Sequence, residues 1–162
     1  MVSRDASSFT DVVHINKGSG AGLEPGMVVL STEGSLVGTV TDVLPTRASV
    51  RLISDSRSAV NARVLGTDID GSVRGSATKT VHLELARGNI NEGDEIVTSG
   101  VGANYPPGLP IGMVSNVQGT PQDMFLQVTI DPHVRLATLR TVLVNTSFDP
   151  SREQLENVWA GR

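Results

Sequence analysis

No cysteine occurs among the 162 residues. That absence removes disulfides, thiolate metal sites and cysteine nucleophiles together, and it leaves the redox compartment unreadable. Aromatic residues are scarce as well, with one Trp, one Tyr and three Phe, so any core must be built from aliphatic side chains. No run of about 18 apolar residues is present to cross a bilayer as a helix, and the opening MVSRDASSF lacks the apolar segment of a secretory signal. As it stands the chain reads as soluble, or as a soluble piece of something anchored, since a strand-like segment begins almost at residue 1. A basic surplus is also missing. Thirteen Lys and Arg stand against 17 Asp and Glu, a net charge of −4, and the basic residues are scattered without aromatic interleaving, which argues against nucleic acid as a partner.

Glycine and proline are abundant, at 17 and 8 residues. Both are disfavoured inside helices, so the composition points to short strands joined by tight turns. Apolar periodicity of two, or β-branched runs bounded by turn residues, marks strands at 11–15, 27–31, 36–43, 48–54, 59–65, 71–77, 80–85, 94–99, 111–117, 125–131 and 140–145. An edge strand at the N-terminus makes about twelve, leaving little room for helix. The tail PSREQLENVWAG, 150–161, is either a frayed end or a short helix, with Ser151 as cap and Gln154 three residues later.

One hairpin occurs twice. LEPGMVVLST (23–32) lies over INEGDEIVTS (90–99), matching Gly26 with Gly93 and Val29 with Ile96. VGTVTDV (37–43) lies over IGMVSNV (111–117), matching Gly38 with Gly112. The first copy joins its strands through the short EGS (33–35), whereas the second carries an inserted GVGANYPPGLP (100–110). Two copies are too few for a solenoid, so two similar β-units side by side are expected. Gly38 and Gly112, each inside a strand pattern, predict a bulge or sharp bend that curls a small sheet into a barrel, and Gly26, Gly93 and Gly108 mark turns.

Reactive chemistry is nowhere concentrated. His14, His82 and His133 are isolated from one another and read as surface or internally satisfied histidines rather than ligands or bases. GTDIDGS (66–72) opens like a calcium loop through Asp68, Asp70 and Gly71, but the twelfth position from Asp68 is Lys79, a cation where a bidentate carboxylate belongs. "DIDG" therefore reads as a hairpin turn. KGSGAG (17–22) has neither phosphate-loop spacing, and Pro25 follows where a helix would need to have begun. Paired β-barrels do house serine proteases, and a two-barrel serine hydrolase is the alternative reading. Its chain-ordered candidates are His14, Asp42 and Ser99, with no nucleophile elbow and no oxyanion-type glycine motif beside the serine.

Several segments in order resemble the extracytoplasmic β-region of the rod-shape-determining MreC family. These are INKGS…G…PGM (15–27), GSVRG (71–75), the block GD…VTSG…PPG-P-IG (93–112) and the closing LATLRTVLV (136–144). The resemblance runs over roughly residues 2–145. It departs at Ala103, Asn104 and Tyr105, where the family more often shows Gly-Gly-hydrophobic-Phe, so the loop tip can differ in what it contacts. The resemblance implies an all-β chain of two small six-stranded β-barrels with similar internal hairpins and little or no helix. The first barrel would span 1–56 and the second 57–138. The strand at 139–146 is free to return and complete the first, since five strands alone leave an open edge. Residues 147–162 form a tail, either disordered or a short helix.

The resemblance further implies an excised extracytoplasmic portion, at the outer face of the bacterial cytoplasmic membrane and anchored in the full-length protein by a missing N-terminal segment. It implies a scaffold of the cell-elongation machinery with no cofactor and no enzymatic activity. The implied partners are the elongation class B penicillin-binding transpeptidase, MreB, MreD, RodA and further copies of itself. The chemically quiet, proline-shaped loop 100–110 is the expected contact surface. Tyr105 and Leu109 would supply apolar area, and Pro106, Pro107 and Pro110 would hold the loop in shape beforehand, reducing the entropy lost on binding. For Tyr105 and Leu109 a purely internal role, capping a barrel end, is equally open.

Overall fold

Alternating apolar and polar residues become strands whose two faces differ in burial. In Ala59–Val64, Val60, Ala62 and Val64 are buried while Ala59 and Asn61 face solvent. The computed structural model describes residues 2–4, 11–102, 104–120, 122, 124–136 and 139–146. Ala103 and the helix candidate at 150–161, with Ser151 and Gln154, lie outside the described residues. Within them are twelve strands and a single three-residue 3-10 turn, Ser19–Ala21. None of the described residues forms a helix long and apolar enough to cross a membrane.

Six strands form one antiparallel sheet: β1 (Val2–Arg4), β2 (Val12–Ile15), β3 (Val28–Leu30), β4 (Leu36–Val43), β5 (Ala48–Leu52) and β12 (Leu143–Asn145), in the order β1-β2-β5-β4-β3-β12. The other six are β6 (Ala59–Val64), β7 (Asp70–Gly75), β8 (Val81–Glu84), β9 (Glu95–Thr98), β10 (Pro110–Gln118) and β11 (Gln127–Pro132). They close into a barrel because β9 pairs with both β6 and β10. The last strand returns to the first unit after the barrel has closed, pairing Leu143 with Leu30 and Asn145 with Val28. No pairing joins β1 to β12 among the described residues, so the first unit is a six-stranded sheet beside a closed barrel.

The duplicated hairpin is duplicated down to single hydrogen bonds. Gly26 N–H donates to the Val40 carbonyl at 2.8 Å, and Gly93 N–H donates to Val114 at 2.8 Å. Val40 N–H donates to Met27 at 2.9 Å, and Val114 N–H to Asp94 at 2.8 Å. Both turn glycines hold positive φ, 93° and 91°, a region that costs an L-residue about 1–2 kcal/mol. Bulges recur at matched places: between Val29 and Leu30 against β4 and between Val40 and Asp42 against β5 in the first copy, with shifts between Pro110 and Gly112 and between Val114 and Asn116 in the second. Extra residues at bulges bend a strand and raise its twist, which is how short strands wrap around so small a core.

Gly38 and Gly112 sit where that bending presses two backbones together. A Cβ at Gly38 would lie 2.0 Å from the Arg51 carbonyl oxygen, and one at Gly112 would lie 2.4 Å from that of Asp131. Under the bent strands, Val13, Leu36, Val50 and Leu52 of the sheet and Val60, Val73, Leu83 and Ile96 of the barrel are buried in one continuous apolar cluster. Gly38→Ala should therefore lower the unfolding free energy by at least about 3 kcal/mol, through backbone displacement. Gly34→Ala, at φ 91° with open space around it, should lose only about 1–2 kcal/mol. Urea denaturation of the two variants measures the difference.

Candidate functional site

The inserted loop grows from a base that the short loop of the first copy already contains. In the first copy, Gly34 N–H donates to the Ser31 carbonyl, and Ser35 N–H donates to the Ser31 hydroxyl at 3.1 Å. In the second, Gly108 N–H donates to the Thr98 carbonyl at 2.8 Å and Leu109 N–H to the Thr98 hydroxyl at 2.9 Å. The Thr98 hydroxyl also donates to the Pro106 carbonyl at 2.6 Å. The insertion thus leaves from a closed, hydrogen-bonded hairpin end.

The loop then splits its residues between two tasks. Tyr105 and Leu109 are partly buried and pack against the apolar cluster. Tyr105 also reaches the other unit, where its hydroxyl bonds Thr39 Oγ1 on β4 at 2.8 Å. Burial pushes the Tyr105 phenol above its ordinary pKa, against the opposing effects of the Thr39 hydrogen bond and the charge of Arg51, so it stays neutral over the physiological range. Pro106 and Pro110 are half-buried, Pro107 and Gly108 are exposed, and Val101 is 58% exposed. Exposed Leu65 lines a shallow groove with Pro107 and Gly108.

Residues 53–58 join the two units and carry a buried carboxylate. The Asp55 side chain is fully buried and accepts four N–H groups: Asp11 N at 2.9 Å, Arg57 N at 2.8 Å, and Arg57 Nε and Nη2 at 3.0 Å each. The Ser54 hydroxyl donates to the Asp11 carboxylate, and Lys79 Nζ of the barrel lies 3.9 Å from Asp11 Oδ1. Burial works to raise the pKa of Asp55, but the Arg57 side chain and the amides of Arg57 and Asp11 outweigh it and bring the carboxyl down to about 2.

The residues tested as catalytic or ligating candidates are occupied separately. His14 Nδ1 pairs with the Ser49 hydroxyl at 3.1 Å, while the Ser99 hydroxyl accepts from Val101 N–H within its own loop at 3.3 Å. Neither bond links His14 to Ser99. His82 bonds Thr80, and His133 bonds Glu95. Asp70 begins β7 and pairs with Arg63 at 2.8 Å, so "DIDG" ends a turn and starts a strand, whereas Lys79 belongs to a separate turn. In KGSGAG, Ser19 N–H donates to the Leu44 carbonyl at 2.9 Å. Among the described residues no three His, Asp or Glu side chains gather as metal ligands.

Comparison with known proteins decides what this arrangement belongs to. The family described as "Rod shape-determining protein MreC, barrel core" matches residues 1–146. The chain belongs to the MreC family. It is 34% identical over 147 residues to the cell shape-determining protein MreC of Escherichia coli, covering 89% of this chain and 40% of that protein. It is 32% identical over 151 residues to MreC of Listeria monocytogenes, covering 89% and 51%. The chain therefore spans about half the length, or less, of these curated relatives. The crystal structure of MreC from Pseudomonas aeruginosa superposes with a TM-score of 0.77 at 28% identity, covering 90% of this chain and 97% of that one. A complex between a penicillin-binding protein and MreC from Helicobacter pylori contains the same fold, with a TM-score of 0.69 at 19% identity and coverage of 88% and 90%.

Sequence reading missed the joint formed by Asp11, Ser54, Asp55 and Arg57, and it missed Thr39. The only local signal was the Asp-x-Arg of "SDSRS", an Asp able to accept from the backbone two residues on.

Two predictions follow from this geometry. Because the folded pKa of Asp55 lies below its unfolded value of about 3.8, its contribution to stability is full above that value. It is lost as pH falls towards 2, about 2 kcal/mol in all. Asp55→Asn should lose stability at pH 7 and flatten the stability profile between about pH 4 and 2, as urea titrations at stepped pH would report. Tyr105→Phe and Thr39→Val should each reduce stability by about 1 kcal/mol, and the double variant should lose little more than either alone, as a double-mutant cycle measures.

Proposed function

We propose that this chain is the extracytoplasmic part of a non-enzymatic scaffold that determines bacterial cell shape and binds the elongation class B penicillin-binding transpeptidase. The observation that carries the reading is the match of residues 1–146 to the MreC barrel core. Relatives at 32% and 34% identity are named cell shape-determining proteins, and an MreC of the same fold has been solved with a penicillin-binding protein. The chemistry agrees with a binding role. His14, Asp42 and Ser99 form no hydrogen-bonded relay, and the buried polar groups Ser31, Thr98 and Asp55 close hairpin ends or fix the linker.

On this reading the protein lies at the outer face of the cytoplasmic membrane, works with MreB, MreD and RodA, and self-associates. The loop 100–110 is the docking surface. Tyr105 and Leu109 anchor it, Pro106 and Pro110 fix its shoulders, and the exposed Pro107 and Val101, with Leu65 beside them, meet the partner. A loop already held at its base and its tip loses little conformational entropy on binding.

The test is direct binding of this chain to the purified extracytoplasmic domain of its own elongation transpeptidase. Saturable binding is expected. Pro107→Ala and Val101→Ser should weaken it at unchanged melting temperature, and Ser99→Ala should leave it intact. Absence of binding up to about 100 μM, where a contact near −5.5 kcal/mol would register, overturns the assignment of this surface to that partner.

A further inference from the structure

Between the sheet and the barrel lies an open cleft of about 780 Å³, within the size range of ligand sites. Its walls bring Glu24, Thr39 and Arg51 of the sheet to face Arg57, Asn104 and Tyr105. Arg51 is held on β5 between Val12 of β2 and Thr39 of β4. Its side chain is partly buried, and its Nε is buried without a hydrogen-bond partner among the described residues.

The other described cations show how unusual that is. Arg57 is tied to Asp55, Arg63 to Asp70, Arg74 to Glu84, and Lys79 lies near Asp11. Arg47, Arg87, Arg135 and Arg140 are exposed, where water screens them. Arg51 alone among the arginines at positions 47–140 is both partly buried and without a carboxylate. A guanidinium in that position carries a standing desolvation penalty that an incoming anion relieves.

The neighbouring groups narrow the anion. Thr39 Oγ1 and Tyr105 Oη share one hydrogen bond. Two hydroxyls joined by a single bond keep one proton free to donate. A planar carboxylate matches the guanidinium fork. Glu24 on the same wall and the net charge of −4 oppose a dense polyanion such as a polyphosphate. The cleft is far larger than a free carboxylate ion and suits several residues of extended chain.

We propose that this cleft binds a carboxylate carried on an extended peptide segment, which pairs with Arg51 and accepts the free hydroxyl proton of the Thr39 and Tyr105 pair. The inference goes beyond the scaffold reading, and transpeptidase docking at Pro107 can fail or succeed independently of it.

The experiment is an NMR titration of the isotope-labelled chain with a blocked pentapeptide carrying two glutamates. The same peptide with glutamines, and free acetate, are run beside it. Saturable shifts are expected at the Arg51 Nε–H and at the amides of Thr39 and Tyr105. They should be absent with the glutamine peptide, and the acetate affinity should be far weaker. Arg51→Gln should reduce the affinity about tenfold or more, the weight of a charge-assisted pair, and Arg51→Met should leave the melting temperature unchanged or raise it. Shifts that fail to saturate by about 10 mM, where a 1 mM dissociation constant would be nearly saturated, overturn the proposal. So do equal shifts from the glutamine peptide or equal affinity for acetate. A fall in melting temperature for Arg51→Met would make Arg51 a structural residue and overturn it equally. The glutamine peptide keeps the comparison decisive if Arg51→Gln alone fails to fold.

Discussion

At two matched strand positions, as at Gly18 and Gly75, a backbone carbonyl occupies the space where a side chain would begin. Gly38 lies against Arg51 and Gly112 against Asp131, with room for a hydrogen and nothing larger. Each sits next to a bulge that offsets its strand against the neighbour. With the offset, a strand of eight or nine residues curves enough to cover an aliphatic core. Without it, the sheet would be flatter and a core poor in aromatics would lie open. The position of the long loop, the seat of Tyr105 and the facing walls of the cleft all descend from that curvature.

The two units are held to one another by different means at different places. Asp55 works through charge and four N–H donors in a site water does not reach. Tyr105 works through apolar contact and one hydroxyl bond. A buried carboxylate is worth keeping only if its donors are complete, and here the linker that needs fixing supplies three of the four. The cleft lies between these attachments, so its walls are positioned by both.

Most of the architecture could be read from the residues. Every strand expected from periodicity is present within a few residues, because β-branched alternation and glycine punctuation are local signals. The repeat was legible for a further reason: bulge and turn glycines are demanded by backbone space, which leaves an identity visible in sequence. The joint was not legible. Asp11 and Asp55 are 44 positions apart, and an acidic residue beside a strand looks like a solvated one until the fold brings its donors. Thr39 and Arg51 were hidden likewise, as ordinary polar members of an alternating strand. The loop was recognisable as shaped, but its division into an anchored side and an exposed side depends on where the other unit lies.

The hydrogen bonds at the base of the loop bear on how such a surface changes over generations. Thr98, Gly108 and Leu109 close the hairpin in the same way as Ser31, Gly34 and Ser35. The seven additional residues lie outside that closure, and enlarging a loop by this amount adds only about 1 kcal/mol of closure entropy. Beyond the clasp, loop length and the exposed positions are thereby uncoupled from the folding of the barrel, while Tyr105 stays tied to the core. Descendants of one ancestral hairpin could diverge, one copy kept as plain scaffold and the other altered residue by residue to follow a changing partner.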